Sequence, residues 1–243
     1  KQVTLPTYWE DFSFASQGDK IAAKSIALAP ENRWLITSDP DGKNVNYVEH
    51  MGENANKVIV DWSPTRQFVA LSTTGEPLGD DRQEVLFVGQ NGENFPSVIV
   101  EGYGLGTKWS PTGDKLLYNI YSEREDYKPE LWITDVGVDN MGANRTALEI
   151  NTWADKCAFG DSRFLYCAIP QTLPTGSGFA PAVADSTPDN IYKIDLKTGI
   201  KTYISTGDGS YTVDSISVSA DQKTLYFTDK NQFISIYYFF RAR

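Results

Sequence analysis

Histidine is nearly missing: His50 is the only one in 243 residues. No site with two histidine ligands can therefore form within one chain, and any Ser-His-Asp or Cys-His device would have to be built on His50. Cysteine is also scarce. Cys157 and Cys167 are too few for a disulfide-rich scaffold, and no CxxC, HExxH, GxSxG or glycine-rich phosphate loop occurs. The motifs imply no cofactor and no metal. No apolar run approaches the roughly 18 residues that a membrane-spanning helix needs. The longest run near an end, 234–240, is short and at the wrong terminus for a signal peptide. Basic residues are outnumbered, 22 Lys and Arg against 32 Asp and Glu, for a formal net charge of −10. They are scattered singly among acids, so no basic patch offers itself to nucleic acid.

Apolar and aromatic residues are plentiful, at 40% and 13% of the chain. That share excludes disorder, and it is distributed as short alternating runs. One pattern recurs: an alternating strand, an aromatic or aliphatic anchor, a small polar turn, then a second strand. It reads Phe14-Ala-Ser-Gln-Gly-Asp-Lys20, Trp62-Ser-Pro-Thr-Arg-Gln-Phe68 and Trp109-Ser-Pro-Thr-Gly-Asp-Lys115. Degenerate copies follow at Phe159-Gly-Asp-Ser-Arg-Phe164 and Val218-Ser-Ala-Asp-Gln-Lys-Thr224. The anchors at 14, 62, 109, 159 and 218 are spaced by 48, 47, 50 and 59 residues. After Trp109 come further strand-like runs at 115–120, 130–136 and 145–150, then an anchor strand at 154–159. The next unit continues with 163–169, 190–196 and 200–205. Helical periodicity is almost absent.

Four antiparallel strands per unit of just under fifty residues, without helices, are the signature of a β-propeller blade. The expectation is an all-β propeller of five four-stranded antiparallel blades, with 1–243 forming one propeller domain, alone or within a larger protein. The last unit runs out after a third strand at 233–239, so residues 2–6 are expected to add its outer strand and close the ring. The Trp-Ser-Pro-x-Gly-Asp-Lys-Leu stretch, with Glu-Leu-Trp-Ile-Thr-Asp at 130–135 and Asn-Ile-Tyr-Lys-Ile-Asp at 190–195, resembles the repeat of TolB-like propellers. The resemblance implies a fold and leaves function to the site.

Motif turns are short and uniform, whereas the loops joining second to third strands vary: 28–32, 73–83, 121–129 and 170–189. Long irregular loops on one face of a rigid scaffold are where function concentrates. The segments between blades carry ring-bearing side chains: Tyr8, Trp9, His50, Tyr103, Trp153 and Tyr211. With Phe179 from the longest loop, they are candidates to stack on sugars or clasp a peptide; packing against neighbouring blades explains them as well. Four residues before the anchors stand Glu10, Asp155 and Asp214, carboxylates of the kind a glycosidase pairs as acid and base or nucleophile. Asp39-Pro-Asp-Gly42 reads as a hairpin turn, since its Gly comes two places too early for an EF-hand loop.

Cys157 and Cys167 flank the turn of the fourth unit. A hairpin centred near residue 162 opposes them for a disulfide, and a one-residue slip leaves two buried thiols; the spacing leaves both open. A disulfide would point to an extracytoplasmic compartment. Asn144-Arg-Thr146 is a glycosylation sequon. The sequence is thus read as a non-catalytic, extracytoplasmic binding scaffold for a protein or glycan. The alternative is a five-bladed glycoside hydrolase using Glu10, Asp155 and Asp214.

Overall fold

The recurring turn closes in the same way in four of its copies. The residue after each anchor donates its N–H across the hairpin: Ala15 to Lys20 O at 3.0 Å, and Ser63 to Phe68 O, Ser110 to Lys115 O and Ser219 to Thr224 O at 2.9 Å each. The serines close a second bond, their Oγ accepting N–H from Phe68 (3.0 Å), Lys115 (3.0 Å) and Thr224 (2.9 Å). The fourth residue of each turn is left-handed: Gly18, Arg66, Gly113 and Gln222, with φ of 69°, 64°, 70° and 55°. Glycine reaches that region at no steric cost, which accounts for its appearance in the two copies that contain Gly-Asp-Lys.

These four turns, and a shorter one in which Gly160 N–H donates to Phe164 O at 2.8 Å, head five antiparallel sheets in a computed structural model that describes residues 2–79, 81–93, 95–204, 210–231 and 235–239. Strands β1 (Trp9–Phe14), β2 (Ile21–Ser25), β3 (Trp34–Ser38) and β4 (Asn46–His50) form the first sheet. The second contains β5 (Val58–Val60), β6 (Phe68–Pro77), β7 (Gln83–Gly89) and β8 (Val98–Val100). The third contains β9 (Tyr103–Trp109), β10 (Lys115–Tyr121), β11 (Pro129–Asp135) and β12 (Thr146–Ala147). The fourth is β13 (Cys157–Phe159), β14 (Phe164–Pro170), β15 (Asp189–Asp195) and β16 (Lys201–Ile204). β17 (Val213–Val218), β18 (Thr224–Asp229) and β19 (Ser235–Phe239) make up the fifth. Each follows sequence order, as simple meanders do. The only helical pieces among the described residues are five 3₁₀ turns.

The chain divides into two compact units: residues 1–100, 112–114 and 136–143, and residues 101–111, 115–135 and 144–243. In the first, Ala15, Ala22 and Leu35 of the first sheet pack with Val58, Trp62, Val69 and Ala70 of the second. In the second, Leu117 and Leu131 of the third sheet meet Leu165, Ile194 and the two cysteines of the fourth. The other face of the fourth sheet, through Tyr166, Ala168 and Ile191, packs on Val213, Ile216, Leu225 and Phe227 of the fifth. Alternation along each strand supplies both faces, so the fourth sheet is buried on two sides. A cation at the start of the second strand meets the Asp ending the third in three repeats: Lys20–Asp39 at 2.6 Å, Lys115–Asp135, and Arg163–Asp195 at 2.5 Å. Solvent reaches the cation of each pair, so each adds little stability.

Cys157 and Cys167 are directly opposed across β13 and β14 and form a disulfide. Three sequence expectations change. Residues 2–6 form no strand, and the fifth sheet has three strands among the described residues. Leu5 instead packs on Trp9, Ile21 and Ile36 of the first sheet, where its apolar side chain finds cover. The run 154–159 begins as a 3₁₀ turn, Ala154–Lys156. The run 145–150 is regular strand only at Thr146–Ala147; left-handed Glu149 (φ 53°) bulges out, while Leu148 N–H still donates to Leu131 O at 2.9 Å and Ile150 O accepts Leu131 N–H at 3.0 Å. The side chains of the aromatic tail 234–240 lie outside the described residues.

Candidate functional site

The loop of residues 170–189 joins β14 to β15 in the second unit, and its neighbour holds it. Gly176 N–H donates to Asp126 O at 2.9 Å, and Gly178 N–H to Tyr127 O at 2.8 Å. Both acceptors lie in the loop between β10 and β11, where Asp126 and Tyr127 are successive left-handed residues, each with φ 54°. The docked loop places Phe179 edge-on to two tyrosines, its ring centroid 5.8 Å from Tyr121 and 6.0 Å from Tyr127. Even so, Phe179 remains 61% exposed. A large apolar ring on an immobilised loop is what a recognition surface needs, because little entropy is lost when a partner covers it.

Gly178 makes the docking possible. A Cβ there would stand 2.3 Å from Tyr121 Cβ and 2.7 Å from the Tyr127 carbonyl oxygen. Gly178→Ala is therefore expected to undock the loop while leaving the sheets intact. Limited proteolysis within 170–189 should accelerate about tenfold or more, and unchanged cleavage would contradict the docking.

A buried ion pair underlies the same face. Lys156, from the 3₁₀ turn Ala154–Lys156, reaches both carboxylate oxygens of Asp189 at 3.1 and 2.9 Å. Their side chains are 6% and 0% exposed. Asp189 Oδ2 also accepts Val213 N–H at 2.7 Å, tying the first residue of β15 to β17. Burial pushes the Asp189 carboxyl up, opposed by the Lys156 charge and hydrogen bond and by Val213 N–H. Trp153 lies 5.9 Å beneath the same ammonium.

Nearby in sequence, a recess of about 490 Å³ is lined by Asp185, Asp214, Thr228, Asp229, Lys230 and Asn231. Lys230 Nζ is 2.6 Å from Asp185 and 3.8 Å from Asp214. The Asp185 bond holds its ammonium above the ordinary value. Asp229 is only 2% exposed. Its Oδ1 accepts N–H from Asn231 at 3.0 Å and from Thr212 at 3.3 Å, while Oδ2 has no partner among the described residues. Three carboxylates around one ammonium leave the recess negative, suited to groups that donate hydrogen bonds.

The candidate rings have divergent roles. In the first unit Tyr8 is 55% exposed, and Trp9 is a core residue at 8%. Trp9 must be withdrawn as a ligand-facing ring, because its side chain packs on Ile21, Ala23 and Ile36. The His50 imidazole lies 5.0 Å from Trp34, its strand partner, and its Nε2 is 3.1 Å from Glu31 O. In the second unit Tyr103 stands 6.3 Å from Tyr121, and Tyr211 packs on Phe227 at 5.2 Å. Among the candidate carboxylates, Glu10 lies on β1 opposite Lys24 in the first unit. Asp214 is engaged by Lys230. Asp155 is reached by water yet crowded by protein, and desolvation raises its carboxyl against the Lys156 N–H and the Lys156 and Lys108 charges. No group of three or more His, Cys, Asp or Glu among the described residues is placed to hold a metal ion. Asp189, Lys230 and Asp229 gave no sequence signal, because their partnerships arise from folding across 17 to 45 residues.

Solved structures with the same architecture are β-propellers. The chain matches the β-propeller domain of the Trilobed protease from Pyrococcus furiosus over 97% of its own length and 69% of that chain, with a TM-score of 0.60 and 12% identity. A protein assigned as TolB from Agrobacterium tumefaciens matches over 94% of this chain and 79% of that one, at TM-score 0.56 and 13% identity. The acylaminoacyl peptidase of Pyrococcus horikoshii matches at TM-score 0.60 and 14% identity, over 91% of this chain but 35% of the peptidase. The chain thus spans about a third of the length of that enzyme. At these identities the likeness is one of fold: the five sheets are propeller blades. No protein-family model matches the chain, and no curated protein matches it by sequence.

Proposed function

We propose that residues 1–243 are one propeller domain that acts as a non-catalytic binding scaffold outside the cytoplasm, alone or within a larger protein. Its recognition surface is the loop face of the second unit, and its partner is a protein or a glycan. The observation that carries this reading is Phe179, 61% exposed on a loop pinned by two backbone hydrogen bonds. The Asp185 recess of the same loop adds polar and negative character, and Tyr103, Trp153 and Tyr211 stand on segments leading into the blades. An aromatic anchor and charged groups carried on one loop are the usual composition of a protein or sugar contact. The Cys157–Cys167 disulfide supports an oxidising compartment. The hydrolase alternative retains Asp155, whose raised carboxyl has the property of a general acid.

A glycan array and an affinity capture with the intact chain test the proposal. Phe179→Ala is expected to weaken the captured interaction by about 2 kcal/mol or more, roughly thirtyfold, with little change in thermal stability. Equal binding by wild type, Phe179→Ala and a chain lacking the 172–187 tip would remove the loop from the site. Turnover of a glycoside that stops in Asp155→Asn would overturn the non-catalytic reading.

A further inference from the structure

Between the first two sheets, within the first unit, lies a second pocket of about 250 Å³. Leu35, Met51, Leu86 and Phe95 supply its apolar lining, Glu49 and Glu93 its negative charge, and His50 an imidazole whose Nε2 is 3.1 Å from Glu31 O. The strand register explains how the two kinds meet. Leu35 pairs with Glu49 across β3 and β4, so both stand on one face of the first sheet. Leu35 belongs to the cluster that joins this sheet to the second, so Glu49 is on the pocket side. Glu93 is anchored by Asn91, whose N–H and Nδ2–H each donate to it at 2.8 Å. Those bonds hold its carboxyl below the usual carboxylate range. No Lys or Arg among the described residues lines the pocket. Leu86 remains 41% exposed at its edge.

We propose that this pocket binds a small organic cation: an aromatic or aliphatic body bearing one primary ammonium group. The body lies along Leu35, Leu86 and Phe95, and the ammonium faces Glu49 and Glu93. Apolar walls reward burial of the body. Two carboxylates with no Lys or Arg among the described lining residues reward a positive head, repel an anion, and are left partly desolvated by a neutral one. The volume lies below the range of drug-sized ligands, which limits the occupant to a few heavy atoms around one ring or short chain. The proposal is independent of the loop face, which belongs to the other unit.

The two methionines provide the reporter. Met51 lines the pocket at 3% exposure, while Met141 does not. Methyl-¹³C methionine labelling of the intact chain therefore gives one signal in the pocket and one internal control. Phenethylamine is the probe, with 2-phenylethanol as its uncharged counterpart. The expected result is a saturable shift of Met51 with Met141 unmoved, and affinity for the amine at least about tenfold above that for the alcohol. Glu49→Gln and Glu93→Gln should each weaken the amine severalfold and leave the alcohol unchanged. Leu86→Trp, which fills the pocket from its exposed side, should abolish the shift; if that variant fails to fold, the two glutamine variants carry the test. Absence of a saturable Met51 shift, or equal movement of Met141, would overturn the site. Equal affinity for amine and alcohol would overturn the cation assignment.

Discussion

Lys156→Met is expected to lower the unfolding free energy by about 3–5 kcal/mol, because it leaves the Asp189 carboxylate buried without its cation. At this chain length that is a fall of roughly 10 °C in the melting midpoint. The pair spans the 3₁₀ turn before β13 and the first residue of β15, and Asp189 also holds Val213 N–H. Its loss should therefore loosen the fourth and fifth sheets together. The double variant Lys156→Met with Asp189→Asn removes both charges yet keeps an oxygen for Val213, so most of the loss should return. Equal stability of the single and double variants would show that the charges are not coupled.

The pH dependence of that variant follows from the direction of the Asp189 shift. Burial places the folded carboxyl above its unfolded value. The group's contribution to stability is thus fully present below the unfolded pKa and is lost as pH rises through the folded one. Without Lys156 the folded value rises further, since the lysine was lowering it. The deficit of Lys156→Met should therefore be largest at neutral pH and shrink as acid protonates Asp189. Denaturant titrations between pH 4 and 7 would check this; a deficit that grows in acid would contradict it.

Removing the disulfide ranks next. Cys157→Ala with Cys167→Ala opens a loop of sequence separation 10, a loss of about 2–3 kcal/mol in the chain-entropy account. Both side chains belong to the cluster that packs the third sheet on the fourth, so truncation adds a packing cost. Unfolding with and without reductant separates the contributions. Reductant should lower the midpoint of the wild type by several degrees and leave the double variant unmoved. No effect on the wild type would show that the bond contributes nothing to stability.

Much of the fold was legible in one dimension, and the reasons are particular. Trp62-Ser-Pro and Trp109-Ser-Pro announce a hairpin because the serine closes it twice, once by N–H and once by Oγ. The β14 and β15 runs were legible within one residue because alternation is imposed by two packed faces. Legibility failed where a side chain had a choice of cover. Leu5 went to its own sheet, Glu149 bulged out of its strand by turning left-handed, and Trp9 was drawn into the core. The loop of 170–189 was identified by length, but its docking through Gly176 and Gly178 was not. Those bonds run to backbone oxygens of a loop some fifty residues earlier, and a carbonyl has no letter in the sequence.

What the amino-acid order determined alone is the repeating unit: its spacing, which residues turn the hairpins, and that Cys157 and Cys167 are able to face one another. These are local matters, settled by side-chain alternation and turn chemistry over a few residues. Tertiary structure alone decided which charges were buried, which aromatic rings stayed in water and where cavities opened. Asp189, Phe179 and the Glu49 pocket owe their character to neighbours brought in from distant strands, and desolvation depends on everything packed around a group rather than on its own identity.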